Sequence, residues 1–456
     1  MISTRRWLVV LGTLAVLASV QPHAPAASAA DNGEGGLTAQ AENTLRQALA
    51  AMATRQWSGG WGMAWTRHGT ISWGEFIPKA HDWVCVQPPA TPTIAKVYLE
   101  AGQVLDDSGY IHHARMARDA LVAVQTPEGG LPHEWARTGP RPFEATYDDR
   151  VTTGALDFLV KWWQQTEAPE DRAVVDRIGD FILTSQYDNG GWPQRYPPGG
   201  GYGKHITFND GVMPNVIQAL LDLHAVTGDE RYLDAAKRGG DCIIALQGGP
   251  GEAIWAQQHD ADTLEPAWAR KFEPPGYTPA ESVGACNILI ELYLETGEAR
   301  FLEPLPNAFE WYDTHRLENG KYARLYEPGT QRPVYGRRDK KKKVYDFEKA
   351  CGGYGWQGNW YPEQAKRLYE QIQSEGRDAV LAERNAPKPP PDPAAMEDRV
   401  RAVCEALSPD GWWLSEPGES DLAHYEKADV SPDTPMVQAR DFVRNARVLI
   451  EYLEAL

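Results

Sequence analysis

The residues of this chain that could do chemistry together are acids and arginines, and they lie far apart along it. Adjacent carboxylates, Asp148 and Asp149, precede one helix-like stretch, and a third, Asp210, ends the run Ile206-Thr207-Phe208-Asn209-Asp210. Arg270 and Lys271 follow in Ala269-Arg270-Lys271-Phe272-Glu273, then Arg324, then Arg337 and Arg338 just before Asp339. Aspartate oxygens from separate segments suit a hard cation such as calcium. A fixed guanidinium stabilises negative charge as it develops beside it. The same aspartates have other uses. Asp148 or Asp149 with Asp210 could be the acid and base of a glycoside hydrolase, and each pair could simply cap the helix that follows, the commoner role of such residues.

Other residues carry two readings each. Trp192 could stack on a sugar ring or fill a junction, whereas Trp255 and Tyr322 read as packing. His205 and His259 could be bases or metal ligands, against the commoner hydrogen-bonded structural histidine. The run Lys340 to Lys343 reads as a solvated loop, with help in binding polyanions as its second use.

The net charge of −18 over 456 residues makes nucleic acid a poor partner. An acidic polysaccharide would meet the same repulsion unless a local basic site or a bound cation overcame it. Arg5 and Arg6, the apolar run Trp7 to Val20 and the small residues Ala26 to Ala30 have the three parts of a secretory signal peptide over residues 1–30. A secreted or periplasmic protein is expected. The apolar run is too short for a membrane span, and no later stretch qualifies. The five cysteines form no CxxC pair and read as buried thiols.

These residues need a scaffold that gathers them. Glycine followed by an aromatic or apolar residue recurs at Gly60-Trp61, Gly130-Leu131, Gly191-Trp192, Gly251 to Trp255, Gly320 to Tyr322 and Gly411-Trp412. The steps are about 60 to 70 residues with a longer last one, and each unit reads as helix, turn, helix, loop. Gln56, Gln125, Gln186 and Gln247 precede four of the loops. Apolar residues recur at helical spacing between them, as in Ala155, Phe158, Leu159 and Trp162. Units that cannot bury a face alone must stack or close. The expectation is an all-α fold, an α/α toroid with its loops gathered at one end. The toroid domain would span residues 31–385, with Asp31 to Leu37 disordered. A proline-rich spacer would follow at 386–394, then a C-terminal helical unit at 395–456 that could complete the ring.

Three blocks carry a family likeness: Asn189-Gly190-Gly191-Trp192-Pro193-Gln194-Arg195-Tyr196 with His205 to Asp210; Trp255 to Asp260 with Ala269 to Glu273 and Glu281-Ser282; and Tyr322 to Glu327 with Arg332 to Asp339 and Gly353 to Trp356. In order and spacing, roughly from Ala145 to Trp356, the chain resembles the pectate lyases of polysaccharide lyase family ten. The resemblance implies a helical toroid that cleaves polygalacturonate by β-elimination with calcium; a monomer is expected. It implies metal ligation by Asp148 and Asp210, substrate binding by Asp149, Arg270, Lys271, Arg337 and Trp192, and an arginine base at Arg338, with Arg324 as the fallback. The sequence departs from the family at Asp148-Asp149-Arg150, where the family has Asp-Asn-Gly, and at Lys340 to Lys343, which replace a small-residue turn. A hydrolase on the same scaffold, or a homologue that binds acidic polysaccharide without cleaving it, are the alternatives. The arginines weigh against the hydrolase, since a neutral sugar needs no such cluster.

Overall fold

A computed structural model describes residues 34–69, 72–74, 83–136 and 142–456, so the signal-like residues 1–30 lie outside the described residues. The described part contains fourteen α-helices: α1 (Glu34–Ala53), α2 (Thr91–Val104), α3 (Ser108–Val124), α4 (Val151–Thr166), α5 (Pro169–Thr184), α6 (Val212–Thr227), α7 (Glu230–Ala245), α8 (Pro279–Thr296), α9 (Leu305–Thr314), α10 (Glu363–Glu375), α11 (Arg377–Asn385), α12 (Pro393–Glu405), α13 (Glu419–Lys427) and α14 (Ala439–Glu454). None of the described helices is long and apolar enough to cross a membrane. Of the segment Asp31 to Leu37 expected to be disordered, residues 31–33 lie outside the described residues, and the rest is corrected: α1 begins at Glu34 because Leu37, Ala41 and Leu45 bury one face of it.

The helices form an α/α toroid. Successive hairpins pair α2 with α3, α4 with α5 and α6 with α7, while α2, α4, α6, α8 and α10 lie side by side as the inner layer. Inner helices are apolar on more than one face because they touch their own outer partner and both inner neighbours. In α4 the buried set Val151, Ala155, Leu156, Phe158, Leu159 and Trp162 wraps well round the helix. At the other end α14 packs against α1, α2 and α12, and a small antiparallel sheet pairs Ala64 with Gln438 and Leu414 with Val437. The first and last units of the chain therefore share one wall.

The glutamines and aromatic residues of the repeat stitch neighbouring units together. Gln186 donates to the carbonyls of Gly190 in its own loop and Ala235 in α7, 2.9 Å each. Gln56 does the same to Gly59 and His113, and Gln247 to Ala253 and Pro304. The buried indoles of Trp61, Trp192, Trp255 and Trp413 each donate to a carbonyl of the preceding helix, at Met52, Ile182, Ile243 and Val403. Such bonds satisfy backbone groups near helix ends that would otherwise be buried without partners. All five cysteines are free thiols, four of them buried and Cys351 partly so.

Candidate active site

The carboxylates meet because two consecutive units repeat one local design. A two-residue strand leads into a short 3-10 turn, and the turn into an inner helix. In the first, Thr146 pairs with Arg195, the turn is Asp148–Arg150, and α4 follows. In the second, Thr207 pairs with Gln258, the turn is Asn209–Gly211, and α6 follows. Each turn ends with two residues in the left-handed region, Asp149 (φ 49°) with Arg150 (φ 61°), and Asp210 (φ 54°) with Gly211 (φ 69°). The two turns pack against each other. Asp149 and Asp210 thus occupy equivalent positions, as do Arg150 and Gly211, which explains why glycine suits position 150 in the family.

Helix capping does not account for these aspartates. The N-cap residues of α4 and α6 are Arg150 and Gly211, and neither helix start accepts a side-chain cap. The carboxyl groups point instead at one another. Burial, then the charges of Asp149 and Asp148, push the Asp210 carboxyl up to about 8. Asp210 also reaches solvent at the mouth of this cluster, which leaves it open to a ligand. Asp148 Oδ1 is buried without a hydrogen-bond partner. A buried unpartnered carboxylate oxygen among like charges is the condition a bound cation relieves, so Asp148 and Asp149 fit a hard divalent ion, with Asp210 beside them. His133, whose Nε2 lies 4.0 Å from Asp148 Oδ2, completes a group with Asp148 and Asp149 whose ligand atoms lie within 4.8 Å of one another. Its nitrogen is a poor partner for calcium, which takes oxygen ligands.

The arginines stand beside this cluster on a hydrogen-bonded relay. Asn209 Oδ1 accepts from Gln257 Nε2 at 2.7 Å, and the same amide reaches Glu273 Oε1 at 3.2 Å. Glu273, only 2% exposed, takes two bonds from the Arg270 guanidinium, Nε to Oε2 at 2.7 Å and Nη2 to Oε1 at 2.5 Å, a third from the Arg270 backbone N–H at 3.0 Å, and one from the Tyr354 hydroxyl at 3.0 Å. The bond to Glu273 raises the pKa of Arg270, and the Asp210 charge adds to it. Arg270 is therefore a fixed cation whose position is set by a buried acid. Its guanidinium carbon lies 5.1 Å from the centre of the Phe272 ring, and that of Arg338 lies 4.3 Å from the same ring. Arg338 Nη2 also donates to the Gly353 carbonyl at 3.2 Å, and the residue is otherwise open to solvent.

The remaining sequence-derived residues fall in different places. Arg324 forms a 2.6 Å ion pair with Glu281 and packs under the rings of Tyr354 and Trp360. Glu281 in turn contributes to the field that raises Asp210, so this pair borders the same cluster. Arg337 is on the surface, bonded to Asp339 at 2.8 Å, and Lys271 is exposed next to Arg270. The stacking role for Trp192 is corrected: it is 0% exposed and its N–H is bonded at 2.9 Å to Ile182, so no ring face is left for a sugar. His205 and His259 are buried, bonded to Gln258 and the Leu264 carbonyl, and burial pushes His259 down to about 4. Sequence reasoning missed His133 and gave no role to Gln257, Glu273, Glu281 and Tyr354, although these four lie within the motif blocks. The three-residue spacing of Arg270 and Glu273 was a further signal, as the reach of an ion pair.

Several solved structures resemble this one. A family 10 polysaccharide lyase from Cellvibrio cellulosa aligns at 22% identity, covering 62% of this chain and 98% of that one, with a TM-score of 0.49. A mutant of that lyase is known in complex with trigalacturonic acid. A cellobiose 2-epimerase from Bacillus thermoamylovorans aligns at 12% identity over 92% of this chain and 100% of that one, with a TM-score of 0.47. No curated protein matches the chain. Residues 133–325, which carry the three aspartates, Arg270 and Arg324, match the family model described as pectic acid lyase.

Proposed function

We propose that the protein is a pectate lyase that cleaves polygalacturonate by β-elimination, with calcium at Asp148, Asp149 and Asp210 and an arginine base at Arg338. The observation that carries this reading is the convergence of three carboxylates beside an arginine held by the buried Glu273. These aspartates would hold the calcium, whose positive charge would be available to a substrate carboxylate beside them. Arg270, fixed by Glu273, would hold and neutralise a uronate carboxylate. Neutral Arg338 would take the C5 proton, the C5 electron pair would form the C4=C5 double bond, and the C4–O4 bond would break, its oxygen taking a proton from solvent.

Arg338 would act as the base beside the fixed cation Arg270, since both guanidiniums stand over the Phe272 ring. Arg324 serves this role less well, because Glu281 engages it directly. A hydrolase would need two carboxyls set roughly 5–9.5 Å apart across a sugar bond. Here the charges of Asp149 and Asp148 bear directly on the Asp210 carboxyl, which favours a shared cation.

The test is the purified protein on polygalacturonate, with calcium or with excess chelator, followed by the ultraviolet absorbance of the unsaturated product. Absorbance should rise with calcium and vanish with chelator or in Arg338→Ala. Chain shortening without new absorbance would mean hydrolysis, and binding without shortening a non-catalytic protein.

A further inference from the structure

The segment after Arg338 has a character the rest of the molecule lacks. Between Arg332 and Lys349 there are eight lysines and arginines and three acids, in a chain of net charge −18. The two sides of the Tyr335–Val344 hairpin are bonded to each other at 2.7 and 2.9 Å. One end of it carries Arg338 over Phe272, and its tip carries Lys340, Lys341 and Lys342, all exposed. The return side is anchored, since Lys343 Nζ and the Tyr345 hydroxyl both bond to Glu327, at 2.8 and 2.7 Å. Lys341 Nζ stands 5.8 Å from the centre of the Trp268 ring. Arg337, Lys340, Lys342, Lys343, Tyr345 and Lys349 line a shallow groove of about 400 Å³. Beside the lysines, Tyr345 is 43% and Phe347 45% exposed, two of the few large apolar side chains open to solvent. Phe347 is held edge-on against Tyr335, their ring centres 5.6 Å apart.

We propose that this strip is an outlying subsite for a polyuronate chain, which runs from the Arg270–Arg338 position along the lysine groove. The proposal rests on the lyase reading for the identity of the polymer. Cations repeated along an anchored hairpin match the repeating carboxylates of such a chain, and exposed aromatic faces match the apolar faces of its rings. The strip also supplies the local positive potential that a polyanion needs to approach a protein of this net charge. A short oligomer would be held at the catalytic position alone and would not reach the groove.

The experiment compares Lys340→Gln/Lys341→Gln/Lys342→Gln with the wild type on trigalacturonate and on long polygalacturonate. A control changes the charge equally elsewhere, with Lys321→Gln/Lys388→Gln/Lys427→Gln. The hairpin variant should raise KM for the polymer by roughly tenfold, with kcat and the trimer kinetics unchanged, and added salt should shrink the difference. An unchanged polymer KM, an equal loss on the trimer, or an equal effect in the control would overturn the proposal. If the wild type cleaves neither substrate, the lyase reading fails by itself. Retention on immobilised polygalacturonate then decides the subsite: stronger retention of the wild type than of the hairpin variant upholds it, and equal retention overturns it.

Discussion

Gly336 lies against Phe272 so closely that a β-carbon on it would stand 2.0 Å from the Phe272 carbonyl oxygen. That approach holds the arginine hairpin on the segment of Arg270. Gly336→Ala must push the two segments apart, because backbone cannot yield as a flexible side chain does. A displacement of this kind should lower kcat by about 100-fold while far-ultraviolet circular dichroism stays native. Kinetics equal to wild type would show that Arg338 does not act from this position.

Stability without metal should depend on pH through Asp210. Its carboxyl is raised in the folded chain from an ordinary value near 4 to about 8, so the folded state binds the proton more tightly than the unfolded one. The stabilisation is complete below about 4 and is lost as pH rises through about 8. Thermal unfolding in chelator should therefore show Tm falling across this window, and calcium should flatten the fall by relieving the repulsion. A metal-free Tm that is flat from pH 5 to 8.5 would refute the coupling.

Asp210→Asn separates stability from activity. It removes the carboxyl that is ionised with most difficulty, so chelated protein at pH 9 should gain about 1 kcal/mol, with little change at pH 5. Lyase activity should fall by about 100-fold or more, since a ligand oxygen is lost. Full activity in this variant would remove Asp210 from the metal site.

Arg150 holds a left-handed conformation that costs a non-glycine residue about 1 kcal/mol. Arg150→Gly should recover part of that and raise the unfolding midpoint, with the turn unchanged. A drop in stability would mean that the Arg150 side chain contributes more than its backbone costs.

Much of this was legible in the sequence because the fold repeats. The spacing of glycine–aromatic loops announced the toroid, and the motifs placed Asp148, Asp210 and Arg270 in order. What decided each residue's role was context that spacing does not carry. Trp192 follows a glycine pair as a sugar platform would, but its indole is committed to Ile182, as those of Trp61, Trp255 and Trp413 are to their own helices. The pairing of Arg270 with Glu273 was within reach of a three-residue spacing. That of Arg324 with Glu281 was not, since the two lie 43 residues apart, one at the start of α8 and one in the loop after α9.

The wall shared by α1, α2 and α14 has a bearing on how the molecule is made. Among the described helices, the flanks of α1 and α2 that face α14 stay uncovered until α14 has been synthesised. That end of the ring therefore cannot settle in step with elongation, and a chain cut before Ala439 would carry the bare flanks of α1 and α2 as a sticky surface.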